Sequence, residues 1–492
     1  MKLEQLIQGV RVLERLGGNP EIRSLRYDSR RVKPGDCFVA VRGFKRDGLD
    51  FLDQALANGA VAVVTEHAPR TGLPPVAWVR VADDRAALSR MAANLLGSEA
   101  GGVRMIGVTG TNGKTTVAGL IAAILSRIAP TGLCGTLGMT LQGAETSSSF
   151  HPSRLTTPES VDLFEFGAEV AAGGGRFMVM EASSAAIALK RVADIPFSLG
   201  VFTTFSGDHL DFHHTMEEYF RAKLSLFQSL GRDDWAVINI DDRAASRIVP
   251  ELQCRYLTYG FAAGADITSG DCHFSLHGLR AVVRTPLGEA QLQSPLVGRI
   301  NLLNIMAAVA AATVLKVPME DIVSAMAVTP PMRGRLQPVY CGDFAVVVDF
   351  AHTDRALLQL LLSLREVTSG KVILVFGAGG DRDVTKRPRM GQVAADNADF
   401  ILVTSDNPRS EDPHAIAAAI TAGFPRDFSR FKLEPDRRQA IFFALDMARQ
   451  GDTVVIAGKG HETTQTIGSE IVHFNDAEVV RDWLEQQGSK EA

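Results

Sequence analysis

Short apolar runs alternate with longer amphipathic stretches along much of this chain. In the last third the runs fall at 344–348, 371–376, 400–404 and 453–457, with helical stretches between them. That alternation predicts a parallel sheet whose strands are joined by crossover helices. Upstream, 104–108 reads as a strand. After it, Val117, Leu120, Ile121, Ile124, Leu125 and Ile128 recur at the spacing of one helix face. Further strands are predicted at 177–180 and 201–204, and a helix starts near Met216.

Breaks in this pattern suggest three units. Residues 1–100 form a small α/β unit that ends near Leu96-Gly97-Ser98 and Gly101-Gly102. Residues 101–333 form a long central unit, closed by Pro330-Pro331. Residues 334–492 form the last. At about 150 residues per domain, 492 residues agree with that number.

Composition narrows the class. Hydrophobic residues at 46% and charged residues at 22% describe a globular protein and exclude disorder and collagen-like repeats. A net charge of −5 with dispersed Lys and Arg gives no general attraction to nucleic acid. No apolar run approaches the roughly 20 residues of a membrane helix, and the first residues, with Glu4 among them, lack the apolar core of a signal peptide. Cys37, Cys134, Cys254, Cys272 and Cys341 form no CxxC pair, so reduced, mostly buried thiols in a cytoplasmic protein are expected.

The chemistry begins at 105–116, Met-Ile-Gly-Val-Thr-Gly-Thr-Asn-Gly-Lys-Thr-Thr. Strand, glycine loop and helix start suit a polyphosphate, because backbone N–H groups and the positive end of the helix dipole converge on anionic oxygen. Lys114 would reach the β- and γ-phosphates and Thr115 would ligate Mg²⁺. Val108 stands where the general consensus has its first glycine; here the first loop glycine is Gly110. Glu181, at the end of an apolar strand, is where a second oxygen ligand for Mg²⁺ belongs. His209, His213 and His214 suggest zinc at first sight, but no Cys lies nearby and the spacing is not H-E-x-x-H. Lys223, alone on a helix, would ordinarily be a solvated charge.

Taken together, Gly110–Thr116, Glu181-Ala-Ser-Ser184 and Asp208-His-Leu-Asp211 with Lys223 resemble the Mur ligases. The likeness covers almost the whole chain. The stretches from Asp28 to Asp36 and from Gly43 to Gly48 resemble that family's uridine-binding domain. Asn301 with Asn304 and Gly334-Arg335 resemble its motifs around adenine and phosphates. Asp349-Phe-Ala-His-Thr353, Gly377–Asp383 with Lys386-Arg-Pro388, Asp406-Asn-Pro-Arg409 and Gly458-Lys-Gly-His-Glu462 resemble its C-terminal domain.

The resemblance implies an α/β fold of three domains, with a central P-loop-type parallel-sheet ATPase domain and a C-terminal Rossmann-like domain. It implies an ATP-dependent amide-forming ligase of peptidoglycan biosynthesis. The substrate's D-glutamate carboxylate would attack the γ-phosphorus, and an amine would attack the resulting acyl phosphate. Lys114, Lys223, His209 and Arg335 would form the catalytic set. Gly110, Thr111, Asn112, Gly113, Lys114, Thr115, Thr116, Asn301, Asn304, Arg335, Asp349 and His352 would bind ATP. Thr115 and Glu181 would hold one Mg²⁺; His209 and a carbamylated Lys223 would support a second. Ser29, Thr156, Thr157, Ser183 and Arg191 would hold the UDP-N-acetylmuramoyl-dipeptide.

The amino acid added is read from Asp406-Asn407-Pro408-Arg409. meso-Diaminopimelate carries one carboxylate more than lysine, and an arginine fork is its natural reader. The diaminopimelate-adding members carry Arg at the position of Arg409. Gly458 and Glu462 would take the distal ammonium, and Arg382 or Arg387, with Arg382 favoured, the nearer carboxylate. Departures from the family pattern, Leu155, Ala185, Leu189, Ser206-Gly207 and Ala378, cluster around the muramoyl-peptide end. A ligase adding lysine or using another carboxylate is therefore an alternative, and a regulatory P-loop ATPase a remoter one. Neither nucleic acid nor membrane insertion is expected, and a monomer is.

Overall fold

A computed structural model describes residues 1–43, 46–69, 75–143, 150–153, 155–207 and 210–488. Three large sheets follow one another along the chain. The first has five strands in the order Val12–Leu16, Ala77–Val81, Ala62–Thr65, Cys37–Val39, Leu25–Arg26, antiparallel only at its first pair. The second orders Arg255–Tyr259, Trp235–Asn239, Phe197–Phe202, Arg104–Thr109, Phe177–Glu181 and Thr131–Gly135 in parallel. Gly138–Gln142 and Phe150–His151 add two antiparallel edge strands, so the expected parallel sheet is mixed.

The predicted helix spans Lys114–Leu125 and packs beside Arg299–Val314 in one apolar core. It begins at the lysine, three residues before its first apolar position, and ends before Ile128. An antiparallel sheet of Thr268–Ser275, Gly278–Thr285 and Gly288–Ser294 lies within the central unit, where the sequence reading placed no strands.

The third sheet runs Gln337–Cys341, Ala345–Asp349, Thr453–Ala457, Val372–Phe376, Phe400–Val403, Phe431–Leu433, with only the first pair antiparallel. Its inner strands are the four predicted runs, each within a residue at its ends. Both faces are covered. Asp354–Arg365 and Lys386–Asn397 pack on one, Arg437–Met447 and Asp476–Gly488 on the other. Burial on both faces is why these strands read as continuous Val/Ile/Leu runs, each such side chain contributing about 1.5–3 kcal/mol.

The first sheet is fastened to the second through the helix Ser160–Ala172. Tyr27 Oη donates to Asp162 at 2.5 Å, Arg31 reaches the same carboxylate at 3.1 Å, and Arg26 pairs with Glu165 at 2.5 Å. Arg90 pairs with Asp194 at 2.5 Å alongside. Cys37, Cys134 and Cys254 are buried, Cys272 is half-buried and Cys341 exposed, all as free thiols. No helix among the described residues is long and apolar enough to cross a membrane.

Candidate active site

Carboxyl ends of parallel strands build the site, the usual place for a ligand on such sheets. Arg104–Thr109 leads into the glycine loop, and Phe177–Glu181 ends on the acid. Ala345–Asp349 leads to His352, Phe400–Val403 to Asp406, and Thr453–Ala457 to Gly458. These ends face one cavity of about 430 Å³ between the central and C-terminal units.

At the loop, Gly110 has φ +149°, and a Cβ there would lie 1.9 Å from Thr203 Oγ1. No other residue fits. Lys114 Nζ donates to the Gly110 and Thr111 carbonyls, each at 2.9 Å. Thr115 Oγ1 donates to Glu181 Oε2 at 2.9 Å, while Glu181 Oε1 accepts the Thr136 amide at 2.7 Å. Two hard oxygen donors thus stand side by side at the helix start. That donor set fits Mg²⁺, which keeps several waters and takes few protein ligands beside phosphate.

Arg335 reaches the same point from the C-terminal unit. One of its terminal nitrogens lies 3.4 Å from Thr115 Oγ1, its guanidinium sits 4.5 Å over the Phe350 ring, and its Nε is buried without a partner. Burial lowers its pKa, against the opposing pull of Asp349 and Glu181. Asp349 holds the turn that presents Arg335, accepting the Leu336 amide at 2.6 Å and the Ala351 amide at 2.7 Å; burial raises its own pKa. His352 bonds the Phe350 carbonyl at 2.9 Å and lines the cavity. Asn301 and Asn304 are linked at 3.1 Å and line an adjoining cavity with Asn112 and Asp349.

Lys223 is 2% exposed. Its Nζ donates to Gly110 O at 2.8 Å and lies 4.4 Å over the Tyr219 ring. Asp208 and His209 lie outside the described residues. His213 turns to Ser184 Oγ at 2.9 Å, and no histidine-containing metal cluster forms among the described residues.

At the far end of the cavity lie Arg382, Asp406, Asn407, Arg409, Gly458 and Glu462. Arg409 has φ +52° and donates to the Gly380 carbonyl at 2.6 Å; its backbone bridges to Thr466 and Gly468. The Pro408 carbonyl lies so close to Gly380 that a Cβ there would be 1.9 Å from it. The two candidate arginines separate. Arg387 closes its fork on both oxygens of Glu411 at 2.8 Å, whereas Arg382 lines the cavity.

Three family models match the chain in order. Residues 21–95 match the family described as "Mur ligase family, catalytic domain", 108–312 the "Mur ligase middle domain" and 334–460 the "Mur ligase, glutamate ligase domain". A UDP-N-acetylmuramoyl-L-alanyl-D-glutamate–2,6-diaminopimelate ligase of Gloeobacter violaceus is 42% identical over 100% of this chain and 99% of its own length. One of the same name from Caldanaerobacter subterraneus subsp. tengcongensis is 39% identical over 98% and 99%. The chain belongs to the Mur ligase family.

A solved structure titled with that same activity superposes at a TM-score of 0.66, with 34% identity and 95% of both chains covered. The MurF ligase of Thermotoga maritima, solved with ADP, shares the fold at a TM-score of 0.67 and 20% identity, covering 96% of this chain and 99% of its own.

The residues matched to the UDP end of a Mur ligase are less gathered. Thr156 lines the cavity and bonds Thr136 Oγ1 at 3.3 Å. Thr157 is fully buried, its hydroxyl donating to Glu181 O at 2.6 Å, with Ser183 Oγ 3.1 Å away. It therefore holds the Glu181 backbone from behind. Arg191 is tied to Glu159 at 2.8 Å and the Thr157 carbonyl at 3.2 Å. Ser29 lies apart in the first unit, donating to Gln54 at 2.7 Å.

Sequence reasoning assigned no role to Thr136, Phe350, Lys459 or His461. Phe350, Lys459 and His461 sit inside recognised motifs, which was their only signal. Burial, with Arg335, Arg333 and Lys459 nearby, lowers the His461 pKa to about 4.

Proposed function

We propose that this Mur ligase adds meso-diaminopimelate to UDP-N-acetylmuramoyl-L-alanyl-D-glutamate, driven by ATP. One observation carries the reading: Lys114, Thr115, Glu181 and Arg335 face the same cavity as Arg382, Asp406, Asn407, Arg409 and Glu462. A phosphate loop that served a switch alone would have no use for the second group.

In the reaction so read, a carboxylate oxygen of the dipeptide's D-glutamate forms a bond to the γ-phosphorus as the bond to ADP breaks. The amine nitrogen then bonds to the carbonyl carbon, phosphate leaves, and the amine's extra proton is lost. Two anions meet in the first step. Lys114 and Arg335 offset that repulsion, and fixed positive groups of this kind are typically worth 10²–10³ each in rate. Thr115 and Glu181 would hold one Mg²⁺, and Lys223, as its carbamate, with His209 a second; bound there, the ions would supply positive charge to the phosphoryl oxygens. Holding the three substrates in one cavity between two units provides positioning. Arg409 and Arg382 read the two carboxylates of the amino acid. An Arg409 left facing lysine's bare end would lose its anionic partner, which is strong grounds for rejection.

Phosphate release from ATP, with Mg²⁺ and bicarbonate, tests this. Release should require UDP-N-acetylmuramoyl-L-alanyl-D-glutamate and diaminopimelate, with lysine near background. Equal rates with lysine would support the lysine-adding alternative, and indifference to the UDP-dipeptide would move the acceptor elsewhere.

A further inference from the structure

We infer that Lys459 is the positioning residue for the distal ammonium of the incoming amino acid; this rests on the function proposed above. Lys459 follows the strand Thr453–Ala457 and is 0% exposed. A buried ammonium needs an acceptor for each proton and a compensating charge. It has both: Thr464 O at 2.7 Å, Glu462 Oε2 at 2.9 Å and Asn407 Oδ1 at 3.3 Å.

These bonds leave the neighbouring side chains no choice of orientation. Asn407 Oδ1 receives the Lys459 ammonium and, at 3.0 Å, the Thr466 amide. Both groups can only donate, so that atom must be the amide oxygen. Asn407 Nδ2 is thereby aimed at Asp406 Oδ1, 3.0 Å away, and at Glu462 Oε2, 2.8 Å away. Glu462 Oε2 then holds two donors, one of them charged. Its carboxylate is fixed on one oxygen, while the side chain stays one-third exposed and lines the cavity. The second oxygen is left for a cation from the ligand. Arg409 sits outside this network, on the Gly380 carbonyl. The amine and the carboxylate of the ligand's far end therefore have separate readers.

The test compares diaminopimelate with 2-aminopimelate, which keeps both carboxylates and lacks the distal amine. In Lys459→Met the KM for diaminopimelate should rise roughly 10- to 100-fold, the range for one charge-assisted hydrogen bond. The KM for 2-aminopimelate and for ATP should stay within about three-fold. Lys459→Gln, which retains a donor for Thr464 O, makes the same comparison should the methionine variant fail to fold. Equal loss on both amino acids, or a parallel loss for ATP, would reduce Lys459 to a structural residue and overturn the inference alone. A wild-type enzyme indifferent to diaminopimelate would overturn the underlying reading and the inference together.

Discussion

Two arginines drawn in from solvent show opposite uses of the same side chain. Arg437 is 1% exposed and lies behind the C-terminal sheet. Its fork is closed on both oxygens of Asp476, at 2.7 and 2.8 Å, and it also donates to the carbonyls of Ala457 and Ser405. Those carbonyls belong to the two chain segments that carry Gly458 and Asp406 into the cavity. Arg335, at the cavity wall, has one long contact to a hydroxyl, an aromatic face and an unpartnered Nε. Burial works against the charge in both. Asp476, with Asp406 and Glu462 nearby, more than offsets it for Arg437, whose pKa is raised, while that of Arg335 is lowered. The closed fork is a structural joint; in the function proposed above, the open one is left for an anion that the ligand brings.

Substitutions can break this contrast. Asp476→Ala leaves the Arg437 charge buried alone and should cost about 3–5 kcal/mol of stability in denaturant unfolding, while enzyme that remains folded keeps its KM for ATP. Arg335→Ala should do the reverse. A 10²–10³-fold fall in kcat is expected, with a melting temperature close to wild type and a smaller shift on adding ATP. Asp162→Ala probes a third region, the polar seam between the first two units, where Tyr27 and Arg31 lose their acceptor. It should cost about 1–3 kcal/mol and leave the KM for amino acid unchanged.

A last expected effect is one of pH, at His461. Its folded pKa, about 4, lies below that of the unfolded chain, near 6.5. Between those values the unfolded state binds the extra proton. The contribution is therefore complete above about pH 6.5 and is lost as pH falls toward 4. His461→Gln should unfold with a shallower pH dependence across that window.

How much of this was legible follows from the range of each interaction. The four inner strands of the last sheet were readable because burial on both faces makes them uniformly apolar. The phosphate loop was readable because its chemistry is local. Strands 268–294 were missed: their buried residues, among them Leu279, Ala281, Val283 and Leu292, alternate with more polar ones and form no continuous apolar runs like those of the last sheet. Thr115 and Glu181, 66 residues apart, were linked by residue type and a family likeness, and the structure gives the distance. Arg382 was favoured over Arg387 without a physical ground, since Glu411, which claims Arg387, lies 24 residues beyond it. The Arg437 joint left no local trace, because its partners Asp476, Ser405 and Ala457 lie 20 or more residues away; the Lys459 network is local at Glu462 and Thr464, inside a recognised motif, and distant only at Asn407.

The most direct test of the central claim is a competition read by mass spectrometry. The enzyme is given ATP, Mg²⁺, UDP-N-acetylmuramoyl-L-alanyl-D-glutamate and equal amounts of meso-diaminopimelate and L-lysine. A product carrying diaminopimelate is expected, with the lysine product at least about 10³-fold rarer, as befits a site built for a polar group that rejects the analogue lacking it. A product carrying lysine in comparable amount would contradict it.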